Sequence, residues 1–311
     1  MQTLKAFNKY SAMASVLLST LVLGLSGQVL AAATKVDLGT ADSFAVLAGQ
    51  HITDVPSSVI TGNVGLSPAS GSFYAGLTSA EVTGTIYAVD GAGPGGSVNN
   101  PALLTTAKND LTTAYVNAAN QTPATVLSGS DNQLGGQTLT AGIYSFGHAN
   151  TANLTAATPL ILNGQGNANS IFIFQASSDL VMASASSVQL INGAQACNVY
   201  WQVTSSATLG TGSTFVGTIM ALTSITDNGS STVSGRLLAR NADVVLNQTT
   251  VRVPACTTPT PSSSTSSTTP TLPNTGLGPK SSSDISWGLI APAATVIVLS
   301  SLYAVRKKGM N

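Results

Sequence analysis

Short apolar segments that recur every 18 residues constrain the fold of this chain more than any other feature. Successive repeats begin at Phe215, Val233 and Val251, and each contains three short strand-like runs in a fixed order. One such coil cannot bury its inner face alone, whereas stacked coils form a continuous core and pair their backbones about 4.8 Å apart. The pattern therefore predicts a β-solenoid with three faces.

The repeat has one irregular step. The equivalent position before Phe215 is Val188, which is 27 residues earlier, so this coil carries an insertion around residues 192–196. One strand of each coil is apolar at every position, as in residues 171–174 (IFIF). A strand of this kind is expected to be buried on both sides.

A single helix is predicted over residues 101–120. Asn100 precedes Pro101, which is the usual arrangement of an N-cap followed by proline in the first turn. Apolar residues then recur at helical spacing along one side, and we expect this side to pack against the fully apolar strands. The residues of this stripe are Leu104, Ala107, Leu111, Ala114, Tyr115 and Ala118. The sequence thus predicts an all-β fold with one long helix.

A glycine- and serine-rich segment lies between the first strands and the helix, over residues 68–100. Its pattern is too irregular for solenoid coils. We expect it to cover one end of the solenoid, where it would protect exposed strand edges from pairing with other chains.

Charged residues are rare, at 7% of the chain. Between residues 34 and 256, which we take as one domain, five basic residues stand against ten acidic ones. This balance gives no attraction for nucleic acid. The surface must instead consist of small polar and apolar groups, and we expect a monomer.

No set of residues has the spacing of a catalytic or metal site. The only histidines are His51 and His148, and the acidic residues are scattered singly. Asp227 falls at a position where its equivalents in other coils, Met182 and Leu209, point inward, so we expect it to cap a turn or mark a bulge. We therefore expect neither an enzyme nor a bound metal or cofactor.

Both cysteines, Cys197 and Cys256, lie in this domain. An exported protein can hold them as a disulfide, which would fix the end of the fold. Two free thiols are the alternative.

The N-terminus has the three-part pattern of a secretory signal peptide. Lys5 and Lys9 precede an apolar stretch that ends at Ala31-Ala32-Ala33. Residues 1–33 are thus expected to be removed during export. A retained membrane anchor is the alternative.

The C-terminus carries a second targeting signal. Leu272-Pro273-Asn274-Thr275-Gly276 fits the L-P-x-T-G pattern, and an apolar span over residues 285–305 and the basic Arg306-Lys307-Lys308 follow it. This order resembles that of sortase substrates. The resemblance implies cleavage after Thr275 and covalent attachment to peptidoglycan at the cell surface, with contact to the membrane only before sorting. A protein that keeps its membrane span is the alternative.

Residues 257–271 consist almost entirely of threonine, serine and proline. Such a segment buries too little apolar surface to offset its ordering entropy, and it is expected to be an extended stalk. Residues 272–311 form the sorting signal.

In each coil, the outward positions of the second strand and of the turn that follows it carry small hydroxyl and amide groups. Stacked coils would arrange these groups in uncharged ladders that hold water in a regular array. Alternatively, threonine and serine are simply favourable on exposed strands. The candidate binding residues are Thr208, Thr211, Thr214, Thr226, Asn228, Thr232, Asn247 and Thr250.

The chain resembles the ice-binding proteins with a discontinuous solenoid fold. The matching stretches are residues 44–49 (FAVLAG), 60–68 (ITGNVGLSP), 142–145 (GIYS), 171–175 (IFIFQ), 193–202 (GAQACNVYWQ) and 235–240 (GRLLAR). The resemblance implies a right-handed β-solenoid of triangular cross-section, a helix along one face, and an N-terminal segment that returns to pair beside the C-terminal coils.

The resemblance also implies adsorption to the surface of an ice crystal through one flat face. Thr211-Gly-Ser-Thr214 fits the T-A/G-x-T/N motif of some members, whereas the other coils fit it loosely. An adhesin that binds a glycan or another surface through the same face is the alternative function.

Overall fold

Parallel strands build the whole of this fold. The computed structural model describes residues 32–127, 132–147, 151–155 and 158–257, and every strand pairing among them is parallel. The strands are β1 (Phe44–Ala48), β2 (Ile52–Val55), β3 (Val59–Thr61), β4 (Asn63–Leu66), β5 (Tyr74–Ala75), β6 (Val82–Thr83), β7 (Ile86–Ala88), β8 (Val98–Asn99), β9 (Thr125–Leu127), β10 (Thr138–Thr140), β11 (Gly142–Phe146), β12 (Ala152–Leu154), β13 (Leu160–Asn163), β14 (Phe172–Ala176), β15 (Leu180–Met182), β16 (Val188–Ile191), β17 (Val199–Val203), β18 (Ala207–Leu209), β19 (Thr214–Ala221), β20 (Ile225–Asp227), β21 (Thr232–Ala239), β22 (Val244–Asn247) and β23 (Thr250–Arg252).

The strands form three rows. The covered face has the order β8-β7-β4-β1-β21-β19-β17-β14-β11-β9, and the open face has the order β12-β15-β18-β20-β22-β2-β5. The third face joins β6, β3 and β23 to the first halves of β21 and β19, and a single bridge between Ser187 and Thr214 links it to β16, β13 and β10. The prediction of a mostly β fold built from stacked coils with parallel pairing is confirmed, and the triangular cross-section stays a prediction.

The 18-residue repeat is visible directly in the strand register. Phe215 pairs with Val233, which pairs with Val251. Strands β19 and β21 each continue from the third face onto the covered face. They bend at Gly217, which has φ 111°, and at Gly235, where a Cβ atom would lie 1.8 Å from the carbonyl oxygen of Gly217. Only glycine allows the two backbones to approach this closely.

The predicted insertion is present between β16 and β17. Residues 192–198 connect these strands through a turn and a short 3-10 helix, Ala196–Asn198. The disulfide between Cys197 and Cys256 closes over this connection, with Cα atoms 5.7 Å apart. The favoured pairing of the two cysteines is therefore confirmed.

The N-terminal segment returns to the C-terminal coils. Strands β1, β2 and β3 pair with β21, β22 and β23, respectively. An ion pair between Arg236 and Asp42, with 2.6 Å between Nη2 and Oδ1, fastens the returning segment to the coil beside it. The solenoid is thus discontinuous in sequence and continuous in space, as the resemblance implied.

Helix α1 (Pro101–Asn120) lies against the covered face. The side chain of Asn100 accepts a hydrogen bond from the backbone N–H of Leu103 and caps the helix. All six residues of the predicted apolar stripe are buried. They form one cluster with residues that point outward from the covered face, including Ile173, Tyr200 and Met220. The helix and its packing surface are confirmed.

The interior of the solenoid contains a column of aromatic rings. Tyr144, Phe174, Trp201 and Phe215 follow one another, with ring centroids 5.5, 3.9 and 5.4 Å apart. The indole N–H of Trp201 donates to the carbonyl oxygen of Val216, so the ring is buried without leaving a polar atom unpaired. The four rings belong to one shared core cluster.

The segment before the helix differs from the prediction. Instead of an irregular excursion, residues 74–99 contain β5, β6, β7 and β8, and the first three pair with β2, β3 and β4. They form a further short coil, whose pattern was hidden because strands of two or three residues are too short to show alternation. Strands β5, β6 and β8 end their rows. Protection of strand edges by this coil stays a prediction.

Several sequence predictions lie outside the described residues. These are nearly all of the signal peptide, the stalk beyond Thr257 and the whole sorting signal, including the apolar span. Within the described ranges, no helix combines the length and apolar character that a membrane span requires.

Candidate functional site

The open face presents one continuous ladder of outward side chains. Each of its strands contributes a middle residue, and neighbouring residues pair in register from one end of the row to the other. We call this set the open-face ladder. In spatial order it consists of Asn153, Val181, Thr208, Thr226, Val245, Thr53 and Ala75.

None of these seven side chains carries a charge, and all are at least partly accessible to solvent. Except around Ala75, the residues on either side of each one are buried, for example Ala207 and Leu209 around Thr208. Because neighbouring parallel strands lie about 4.8 Å apart, the ladder repeats small methyl, hydroxyl and amide groups at that interval. The side chains are short, so little conformational entropy is lost when they order.

A second ladder lies in the turns that follow the open-face strands. The hydroxyl of Thr211 donates to the carbonyl oxygen of Asn228 over 3.3 Å, and the side-chain amide of Asn247 donates to the same oxygen over 3.1 Å. We call Thr211, Asn228 and Asn247 the corner ladder. In two of these turns, Gly212 and Ser230 have φ values of 68° and 56°. Their backbone N–H groups donate to the carbonyl oxygens of Gly229 and Asn247 in the following coil.

Buried hydroxyl groups hold the corner ladder from beneath. Ser213 and Ser231 lie 3.0 Å apart, and Ser231 donates to the carboxylate of Asp227. Asp227 also accepts hydrogen bonds from the hydroxyl of Thr249 and the backbone N–H of Gly229. With three donors and 2% exposure, Asp227 caps the turn of its coil. The prediction of a capping role is confirmed.

The third face carries a ladder of a different kind. Thr214, Thr232 and Thr250 pair in register, and Val59 follows Thr250. The next outward position contains the exposed Arg252, which pairs with Ser234. This face therefore combines threonines with a cation, and only the Ser187–Thr214 bridge connects its two sheets.

The eight predicted binding residues are all accessible to solvent, but they are distributed over the three ladders. Thr208 and Thr226 belong to the open-face ladder, and Thr211, Asn228 and Asn247 form the corner ladder. The remaining three, Thr214, Thr232 and Thr250, begin strands of the third face. The structure thus brings Thr208 and Thr226 into one row and separates them from the third-face threonines by the turn.

Sequence reasoning missed five members of the open-face ladder. One of them, Ala75, lies in a strand of only two residues, which shows no alternation. Val181 and Val245 stand between inward apolar residues, and this alternation was a usable signal for outward positions. Asn153 lies in a coil whose repeat is too irregular to align. Thr53 had no local signal, because its partner Val245 is distant in the sequence and the pairing arises only from the returning N-terminal segment.

Within the described ranges, no group of three or more His, Cys, Asp or Glu side chains could hold a metal ion. His51 is paired with Asp243, with 3.0 Å between Nδ1 and Oδ1, and both side chains are exposed at the start of the open-face strands. Asp179 and Asp227 accept structural hydrogen bonds, and His148 lies outside the described residues. The arrangement therefore offers a surface for adsorption, and we find no constellation for catalysis among these residues.

The sequence model of the ice-binding-like family matches residues 46–252. The chain belongs to this family. It is 40% identical to an ice-binding protein of Flavobacterium frigoris (strain PS1) over 229 residues, which are 74% of this chain and 79% of that protein. An ice-binding protein of a Colwellia species is 39% identical over 238 residues, which are 75% of this chain and 91% of that protein.

Solved structures of ice-binding-like proteins share the fold. An ice-binding protein from an Arctic yeast superimposes with a TM-score of 0.64 and 32% identity, covering 73% of this chain and 97% of its own. An ice-binding protein from an Antarctic biological consortium gives a TM-score of 0.63 and 34% identity, covering 72% and 93%. The solenoid of this chain therefore corresponds to nearly the whole of these proteins.

Proposed function

We propose that this protein adsorbs to the surface of ice crystals through its open face. The observation that carries the proposal is the open-face ladder, which is in register over seven strands and uncharged throughout. Family membership supports the partner, since the relatives are named as ice-binding proteins.

A flat ladder of this composition suits ice for a physical reason. Ice offers no pocket and no charge, so affinity must come from many weak contacts made at once by a rigid surface. Methyl groups favour an ordered water layer beside them, and hydroxyl groups bond into it. A charged side chain would orient water around itself and disrupt the layer.

In this proposal the predicted binding residues lie at the centre, at the corner or at the flank of the ice-binding surface. Thr208 and Thr226 lie at the centre, and Thr211, Asn228 and Asn247 extend the surface at the corner. Thr214, Thr232 and Thr250 flank it on the third face. The fold that presents them is a right-handed solenoid of triangular cross-section in this proposal.

The location of the protein is a further part of the proposal. Export would remove residues 1–33, and sortase would join Thr275 to peptidoglycan, leaving residues 34–256 on the stalk of residues 257–271. The supporting observation is the order of Leu272–Gly276, the apolar span and the basic tail in the sequence. Display at the wall would hold the open face toward the surroundings of the cell.

Ice affinity is tested by freezing a dilute solution slowly onto a cold probe and measuring how much protein enters the ice. The purified protein should concentrate in the ice, while a non-binding protein of similar size should stay in the liquid. Exclusion from the ice, together with binding to a glycan array, would replace this proposal with the adhesin function.

Display at the wall is tested separately on cells that express the full chain. Muralytic digestion should release a protein that ends at Thr275, and Leu272→Ala should prevent this attachment. A protein that detergent extracts intact with its C-terminal span would contradict anchoring to peptidoglycan, without affecting the ice-binding proposal.

A further inference from the structure

Asp54 is a buried acid whose hydrogen bonding is incomplete. It is the third residue of the open-face strand β2, is 4% exposed, and accepts one hydrogen bond from the hydroxyl of Ser58 at Oδ1. Its other oxygen, Oδ2, is buried and has no hydrogen-bond partner. A buried polar atom without a partner is costly and calls for a physical explanation.

A second acid lies close to Asp54. Glu81 ends the 3-10 helix Ser79–Glu81, and its Oε1 accepts from the backbone N–H of Ser57, in the turn that follows β2. Its Oε2 accepts from the backbone N–H and the hydroxyl of Thr78. The side chains of Asp54 and Glu81 interact, so two acceptor carboxyl groups lie close together and Oδ2 of Asp54 has no donor.

Among the described residues, no Lys, Arg or His is found to interact with either carboxyl group. On β5 the titratable residue is Tyr74, whose hydroxyl donates to the carbonyl oxygen of Tyr87. Thr249 links this region to the next acid: its backbone N–H donates to the hydroxyl of Ser58, and its own hydroxyl donates to Asp227. Asp227 already accepts the three hydrogen bonds described for the corner ladder. Strand β22 places Leu246 beside Asp54. The missing donor must therefore come from the pair itself.

We propose that Asp54 and Glu81 share one proton, which latches the short coil formed by β5–β8 onto the body of the solenoid. The proton resides on Oδ2 of Asp54 and is donated to the carboxylate of Glu81. Asp54 belongs to β2 and Glu81 lies between β5 and β6, so this hydrogen bond joins the terminal coil to the coil before it. The inference is independent of ice binding.

The latch depends on pH in a defined direction. Burial, opposed by the hydrogen bond from Ser58 and assisted by Glu81, raises the pKa of Asp54 from 3.8 to about 6. Hydrogen bonds from Thr78 and Ser57 lower the pKa of Glu81 despite its partial burial, so it stays ionised where Asp54 is protonated. An acid whose pKa is raised on folding binds its proton more tightly in the closed state. Closure is therefore favoured below the ordinary pKa of Asp54 and weakens as pH rises toward about 6.

Hydrogen exchange measured by mass spectrometry tests the latch on the full chain. Peptides that cover β5 and β6 are compared at about pH 4.5 and about pH 8, after correction for intrinsic exchange rates. A pKa raised from 3.8 to about 6 predicts that protection falls by on the order of 30-fold across this range. Peptides that cover β18 and β20 serve as an internal reference and should keep their protection.

Variants separate the latch from a general effect of pH. In Asp54→Asn the amide supplies a permanent donor, so protection of β5 and β6 should be equal at both pH values. Glu81→Gln should also reduce the pH dependence, which provides a second test if Asp54→Asn fails to fold. Asp179→Asn removes an acid of a distant open-face turn and should behave as the wild type. Equal protection at both pH values in the wild type, or an unchanged pH dependence in Asp54→Asn, would overturn the proposal.

Discussion

The open face and the third face are built from the same kind of coil, yet they differ as surfaces. Both carry threonines in register, Thr208 with Thr226 on one and Thr214 with Thr232 on the other. The open face is one sheet of seven strands without an outward charge in its ladder. The third face consists of two sheets joined by one bridge, and it exposes Arg252.

This difference teaches that threonine content alone does not define a binding surface. The long strands β19 and β21 must bend onto the covered face, and the insertion between β16 and β17 interrupts the third face. The open-face strands end before each turn and stack without interruption. A continuous, uncharged row therefore distinguishes the open face, and the predictions below test how far the two faces are independent.

The largest effect should follow from Trp201→Ala, which removes the centre of the aromatic column. Both faces rest on this core, so the free energy of unfolding should fall by about 3–5 kcal/mol and both faces should be lost together. Chemical denaturation measures the change. Val181→Ala, at an exposed position, is the control and should stay near the wild type. An unchanged denaturation midpoint for Trp201→Ala would show that the column is not the shared core.

Loss of the disulfide should have the next largest effect. The bridge closes a sequence separation of 59 residues, so Cys197→Ser combined with Cys256→Ser should lower the free energy of unfolding by about 2–4 kcal/mol. The bridge joins the residues just after β23 to the connection between β16 and β17. No open-face strand takes part in it. Ice affinity of the folded variant near 0 °C should equal that of the wild type. A selective loss of ice affinity without unfolding would contradict the separation of the faces.

Asp227→Ala acts between the two faces. It leaves Ser231, Thr249 and the backbone of Gly229 without their acceptor, so stability should fall by about 1–3 kcal/mol. Because the turn above carries the corner ladder, recrystallisation inhibition should weaken more than it does in Asp243→Ala, which removes an exposed acid. Equal recrystallisation inhibition by the two variants would show that the corner ladder is not part of the binding surface.

The smallest effect on stability, and the sharpest comparison of the surfaces, comes from two matched valines. Val245→Thr completes a run of four threonines in the open-face ladder, from Thr208 to Thr53, while Val59→Thr lengthens the third-face ladder. Val59 is exposed and Val245 is partly accessible, and both substitutions should change stability by no more than about 0.5 kcal/mol. Only Val245→Thr should lower the concentration needed to inhibit ice recrystallisation, by about twofold. An equal gain from Val59→Thr would make the faces equivalent.

The sequence was sufficient for the parts of the fold that repeat locally. The 18-residue spacing predicted the register of Phe215, Val233 and Val251, and the helical stripe predicted every buried residue of α1. These predictions succeeded because one coil or one helix turn specifies the next. The terminal coil failed because its strands are too short to alternate visibly.

The candidate site could be predicted only in part. Thr208 and Thr226 were found because their coils are regular and their flanking residues point inward. Thr214 and Thr232 were assigned to the same surface because the sequence does not show where the chain turns from one face to the next. Thr53 enters the ladder through a pairing between distant segments, and the incomplete bonding of Asp54 arises from the same return of the N-terminal segment.

The central claim is that ice meets the open face and not the third face, and partition into growing ice tests it most directly. Thr226→Lys and Thr232→Lys introduce the same charge at outward strand positions of the open-face ladder and the third face, where Thr226 is partly accessible and Thr232 is exposed. Matching thermal melts would establish that both variants fold. The account predicts that Thr226→Lys enters ice at least about tenfold less than the wild type, which corresponds to about 1.4 kcal/mol, while Thr232→Lys stays within about twofold. Loss of partition in Thr232→Lys with wild-type behaviour of Thr226→Lys would contradict it.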